Sequence, residues 1–224
     1  KNKYIYPLKM KINIRLSVVI VAMLSAVVVS AQKPRKLTDT QRQKFEKEFI
    51  AKSREIASLQ CGFTQTKTSV LVAGSAVSKG NMYYSSPSML AWEYVSPTKS
   101  VLVVNGKQTR LLDNNGKSVG NSQAIKQLGN LIINMINGSN IADSKMFSSE
   151  IFDISSETVQ IELYPVGKRL KSYYRQINIK IDTRRMVAIE IVMHENSGDC
   201  TTIVFDKIEL NQKIDDTKFK ITNR

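Results

Sequence analysis

The sequence predicts an α+β fold: one large, curved antiparallel β-sheet with helices segregated from the strands. Three observations carry that prediction. A helix start is written at Thr38-Asp39-Thr40-Gln41, where Thr and Gln stand at capping-box spacing. A stripe of large apolar residues recurs at helical spacing between Ser122 and Asn137. Most of the remaining chain alternates with period two, in runs joined by short turns. The chain has 224 residues, 42% of them hydrophobic and 23% charged, which suits one domain with a packed core.

Residues 1–31 read as an export signal. Met10 is the expected start, which makes residues 1–9 an over-extended leader. Lys11 and Arg15 precede the apolar run Leu16–Val29, and Val29-Ser30-Ala31 offers a small residue for cleavage before Gln32. The run is 14 residues long, against the ~20 needed to span a bilayer. Residues 32–224 are then a single domain working outside the cytoplasm. The full chain carries +14, but residues 1–31 hold five of its basic residues and no acids; 28 basic against 19 acidic residues remain, net +9. The surplus gathers at Lys168, Arg169, Lys171, Arg175, Arg184 and Arg185. It reads first as a solvated basic face, and alternatively as attraction to an anionic membrane surface or an acidic partner. An exported chain without a basic helix interleaved with aromatics points away from nucleic acid. Export also permits a bridge between Cys61 and Cys200, which sequence alone leaves open.

The first helix is expected from Thr38 to about Gln60, with Phe45, Phe49, Ile56 and Leu59 on one side. Strands begin at Gly62–Lys67 and continue through Val70–Ser78, with a bend at Gly74. Gly80–Pro97 holds two strands joined at a corner. Met82 and Tyr84 share one side of the first; Leu90, Trp92 and Tyr94 share one side of the second. Pro87 lacks a ladder donor and forces Ser86 to be extended, which sets the corner. Asn105-Gly106 is a hairpin signal between Ser100–Val104 and Thr109–Leu112. The second helix places Ile125, Leu128, Leu131, Ile132, Met135 and Ile136 on one stripe and stops at Gly138. Strands are then expected near 147–154, 158–164, 170–181, 186–194 and 201–210, with a last short one at Phe219 and Ile221.

The residues offer little for catalysis. The single His194 stands beside Glu195 at a strand end, which suits a solvated pair better than a triad. Neither a phosphate loop, a dinucleotide fingerprint nor a metal-ligand spacing occurs. A binding role without cofactor or metal is the stronger expectation.

The run Phe63-x-Gln65-x-Lys67, then Gly80, then Pro87-x-x-Leu90-x-Trp92-Glu93-Tyr94-x-x-Pro97, then Asn105-Gly106 resembles the LolA-type outer-membrane lipoprotein carriers, in a Bacteroidota-like form. The resemblance extends from about Leu59 to Phe219. It implies an unclosed antiparallel β half-barrel with an α-helical lid, as in LolA/LolB-like proteins. It also implies a monomeric periplasmic carrier. Such a carrier takes acylated lipoproteins from an inner-membrane lipoprotein-releasing transporter towards an outer-membrane acceptor. A related half-barrel serving another lipid, or sensing lipoproteins in envelope stress, is the alternative. Under the carrier reading the acyl cavity is expected at Phe63, Met82, Tyr84, Leu90, Trp92 and Tyr94 in the wall, with Leu128, Leu131, Ile132, Met135 and Ile136 in the lid. Trp92 is expected to meet partial water when no cargo is bound. Two positions depart from the family pattern: Ala91 stands where Arg is frequent, and Ser86 where a basic residue reaches the lid.

Overall fold

The computed structural model describes residues 34–106, 108–120, 132–134, 136–138 and 146–221. Among these described residues twelve antiparallel strands form one sheet. They are β1 (Arg35–Lys36), β2 (Ser58–Thr68), β3 (Ser75–Ser85), β4 (Met89–Ser96), β5 (Ser100–Asn105), β6 (Gln108–Asp113), β7 (Ser118–Gly120), β8 (Phe147–Ser155), β9 (Thr158–Pro165), β10 (Tyr174–Asp182), β11 (Val187–Glu195) and β12 (Cys200–Leu210). The spatial order is β1-β8-β9-β10-β11-β12-β2-β3-β4-β5-β6-β7. β1 and β7 do not pair with each other, so the sheet is an unclosed half-barrel with helical residues over its inner face.

Helix α1 (Asp39–Arg54) starts as the capping box requires: the Thr38 side chain accepts from the Gln41 amide, and the Gln41 side chain accepts from the Thr38 amide. It ends earlier than the apolar spacing suggests. Glu55 is its C-cap, Ile56 lies in the linker and Leu59 already belongs to β2. Phe45 and Phe49 face the sheet and stack at 5.9 Å. Arg42 fixes the helix across β8 by donating to the Ser149 carbonyl and hydroxyl, both at 2.7 Å. A four-residue helix, α2 (Lys168–Lys171), replaces the expected start of β10. The expected last strand is instead a 3₁₀ turn, Asp216–Phe219.

The inner face is built in rungs, because side chains opposite one another on neighbouring strands point the same way. One rung runs Ile151–Ile161–Ile179–Ile191–Ile203–Gln65, from β8 to β2. Another runs Cys61–Met82–Trp92–Leu102–Leu111, from β2 to β6. Two buried clusters result. α1 covers the one over β8–β10; Ile132, Ile133 and Ile136 pack with the one over β2–β5; Ile191 and Met193 touch both.

The rung Phe205–Phe63–Gly80–Tyr94 has a gap at its centre. The Phe63 ring fills it, crossing over Gly80 to lie 4.5 Å from Trp92 and edge-on to Tyr94 at 5.3 Å. On the outer face the 3₁₀ turn crosses β4 and β5. Phe219 is buried there, Lys218 sits 4.5 Å over the Tyr83 ring, and Asn105 donates to the Phe219 carbonyl at 3.1 Å.

Candidate functional site

Between the two clusters the inner face leaves a cavity of about 450 Å³. That is room for a small ligand or part of an acyl chain. Its walls come from nearly every strand: Leu59 and Cys61 on β2, Met82 on β3, Trp92 and Tyr94 on β4, Leu102 on β5, Ile161 and Leu163 on β9, Ile177, Ile179 and Ile181 on β10, Ala188, Ile191 and Met193 on β11, Ile203 and Phe205 on β12. Phe49 of α1 and Ile132 and Ile136 of the helical cover complete it. Among the described residues no charged side chain lines it. Apart from the Trp92 indole, the lining side chains that carry nitrogen or oxygen are Gln65, Tyr94, Ser100 and Tyr174. All four lie towards the end of the sheet where β2 turns into β3. Tyr94 donates to the Gln65 amide oxygen at 2.9 Å.

The surroundings keep these groups neutral. Burial raises the Tyr94 phenol above its usual range, and burial followed by the Glu195 charge does the same for Tyr174. The Cys61 thiol is pushed up to about 12, first by burial and then by the Asp206 charge, so it is an unreactive apolar wall group at neutral pH. Cys61 and Cys200 are both free thiols. Cys200 stands opposite Thr68, seven residues along β2 from Cys61. That is roughly 23 Å at ~3.3 Å per residue, beyond disulfide reach.

The sequence-derived wall residues separate into two layers. Met82, Trp92, Tyr94, Ile132 and Ile136 line the cavity. Phe63, Tyr84 and Leu90 are buried within the cluster that supports it. Leu128, Leu131 and Met135 lie outside the described residues. Trp92 faces the cavity but is only 5% exposed, because Phe63 and Phe205 flank its indole. The expectation of partial hydration is therefore corrected: neighbouring rings shield it even without a ligand. Sequence reasoning did not single out the β9–β12 wall, although its alternating Ile and Val residues had marked those strands.

The cover is held by a pair that the sequence did not suggest. The Tyr84 hydroxyl donates to the Asn137 side-chain oxygen at 2.5 Å, and the Asn137 amide approaches the Pro87 carbonyl at 3.5 Å. Gly138, at φ +69°, lets the cover end against α1; a Cβ there would lie 3.1 Å from both Phe49 and Ser53. These neutral contacts stand in a region where Ser86 and Ala91 offer no cation. Burial raises the Tyr84 phenol above its usual 10, so its donor proton persists below pH 10 and is lost only as pH rises through the folded-state value. Asn137→Ala is expected to remove ~1 kcal/mol from the closed cover. Exchange at the Asn137-position amide, which bonds to the Ile133 carbonyl, should quicken while the global unfolding midpoint barely moves. Equal changes in both would make this contact part of the cooperative core.

Residues 54–222 match the family described as "Outer membrane lipoprotein carrier protein LolA". An outer-membrane lipoprotein carrier protein of Nitrosomonas europaea is 23% identical over 176 residues, covering 79% of this chain and 82% of that protein. One from Pseudoalteromonas translucida is 22% identical over 178 residues, covering 75% and 77%. The crystal structure of a LolA superfamily protein from Nitrosomonas europaea superposes at a TM-score of 0.40 with 10% identity, over 78% of this chain and 97% of that one.

Proposed function

The chain belongs to the LolA outer membrane lipoprotein carrier family, and from that premise we propose that it carries acylated lipoproteins through the periplasm, sheltering their acyl chains in the half-barrel cavity. The observation that supports this most is the composition of the wall: an apolar cavity between a sheet and the helical residues over it, with its polar groups confined to one end. Shielding an acyl chain from water is worth about 0.8 kcal/mol per methylene. Direct hydrogen bonds to the tail are not needed, and a wall containing Met82, Met186 and Met193 can adapt to tails of different length. The inner-membrane releasing transporter and an outer-membrane acceptor are the partners this role requires. Binding and release suffice for it without a chemical step.

Cargo enters when the cover yields. Ile132 and Ile136 contribute to the cavity from the cover, so displacing it exposes wall and tail together and lets an acyl chain exchange. The Tyr84–Asn137 contact is weak enough for reversible opening, since a net hydrogen bond is worth only ~1 kcal/mol.

The test uses Trp92, the one tryptophan in the chain. With the indole already shielded, its emission should be blue before any ligand is added. A triacyl lipopeptide brominated on one tail should quench it saturably, whereas the same peptide without acyl chains should not. Lipopeptide binding detected by another readout, with no quenching, would put the tails elsewhere. We further propose maturation between Ala31 and Gln32; Edman sequencing of the periplasmic protein should begin at Gln32, and retention of Met10 in the membrane fraction would overturn it.

A further inference from the structure

The end of the half-barrel where β2 turns into β3 presents apolar side chains to water. Val70, Leu71 and Val72 at the hairpin tip are 64%, 90% and 66% exposed. They are held out rather than folded back. Asp199 accepts from the Val70 amide at 3.0 Å and from the Ser69 hydroxyl at 2.9 Å through one carboxylate oxygen. Val70 leans on Gly198, where even a Cβ would come within 2.9 Å of it. The strand register brings Val166, after β9, and Tyr173, before β10, to the same end, and both are exposed.

Basic residues surround this tip. Lys67 on β2, Lys79 on β3, Lys99 in the β4–β5 turn, Lys168 and Lys171 on α2, and Arg175 on β10 are all exposed. The nearby acids are engaged: Glu195 pairs with Lys67 at 3.4 Å, and Asp199 holds the tip. This is also the end to which the polar lining of the cavity is confined.

The geometry points to a membrane-docking surface: Val70, Leu71 and Val72 enter the interfacial layer of an anionic bilayer, and the surrounding lysines meet its phosphates. Apolar tips flanked by long cationic side chains suit that layer, because the stems lie along apolar surface while the charges reach the headgroups. The basic residues come from several elements around a projecting tip, which matches a laterally uniform anionic plane better than a shaped protein groove. Among the described residues no helix is long and apolar enough to cross a membrane. A tail leaving the cavity past Gln65, Tyr94, Ser100 and Tyr174 would then emerge at the bilayer. This surface goes beyond the carrier reading, and its docking is measurable without cargo.

The experiment is flotation of the protein recovered from the periplasmic fraction with two kinds of vesicle. It should bind vesicles of phosphatidylethanolamine with phosphatidylglycerol, and bind phosphatidylcholine vesicles weakly. Leu71→Asp should lower partitioning about ten-fold or more; this exposed substitution should leave the unfolding midpoint unchanged. Lys168→Gln with Lys171→Gln should lower binding to the anionic vesicles alone. With Leu71→Trp in a Trp92→Phe background, anionic vesicles should shift emission to shorter wavelength. Unchanged partitioning of Leu71→Asp, or a fixed emission on vesicles that do bind, would overturn the proposal and leave electrostatic adsorption only. No binding to either vesicle would overturn it in favour of a protein-facing tip. Lipopeptide quenching of Trp92 in Leu71→Asp reports the cavity separately: its loss counts against the carrier reading and leaves the docking result standing.

Discussion

Gly80→Ala is expected to cost about 3 kcal/mol of folding stability, at the upper end for adding one methyl group. The added Cβ would lie 2.0 Å from the Glu93 carbonyl oxygen and 2.4 Å from Cζ of Phe63. The first obstacle is backbone of the neighbouring strand, so a rotamer change cannot relieve it. The second is the ring that crosses the gap and packs against Trp92 and Tyr94. The unfolding midpoint should fall by roughly 10 °C. Emission from Trp92 should move to longer wavelength as Phe63 is pushed off the indole. Gly106→Ala is the control: its φ of +59° strains an alanine, but open space surrounds it, and about 1 kcal/mol is expected. Equal losses at the two positions, in guanidinium titrations, would refute the steric account of Gly80.

The other large effect separates binding from folding. Ala188 is the smallest side chain in the β11 wall and lies opposite Ile181, facing the cavity. Ala188→Phe should occupy space proposed for an acyl chain. Displacing even two methylenes of tail costs ~1.6 kcal/mol, so lipopeptide affinity should drop about ten-fold or more. Stability should hold or rise by ~1 kcal/mol, as cavity-filling changes commonly do. Calorimetric titration and denaturant unfolding measure the two quantities independently. Undiminished affinity would show that the tails bind outside this cavity.

Much of this architecture was legible because local signals agreed with one another. The capping box placed α1, Pro87 placed the corner between β3 and β4, and Asn105-Gly106 placed the β5–β6 hairpin, with Gly106 at φ +59°. Alternation put Met82, Trp92 and Tyr94 on one face, and the structure turns that face inward. The errors arose where short apolar spacings fit two readings. Ile56 and Leu59 continue the helical period on paper, yet the helix stops at Glu55 and Leu59 enters a sheet rung opposite Tyr84. The spacing predicts Leu170 in a strand, whereas it belongs to a single helical turn. Phe219 fits a strand on paper, whereas it ends a 3₁₀ turn and plugs the outer face.

What sequence could not carry was long-range pairing. Tyr84 meets Asn137 across 53 residues, and Gly80 shows its purpose only once Phe63 is seen to cross it. The cavity itself depends on how two clusters meet, which no periodicity encodes.

An open sheet leaves two strands with unpaired backbone, and such edges invite other chains to add on. On the β8 side the vacancy is taken by β1, two residues long and consisting of Arg35 and Lys36. Arg35 pairs with Asp153 and Lys36 with Glu150, but both pairs are largely exposed and add little stability. Their value is against self-association. A bare β8 edge would be a template for a second half-barrel; a short, cationic strand terminates the ladder and repels its own kind. The far edge ends similarly briefly, at the three residues of β7. With both edges of the described sheet short, and one of them cationic, sideways growth by strand addition is disfavoured without covering the inner face.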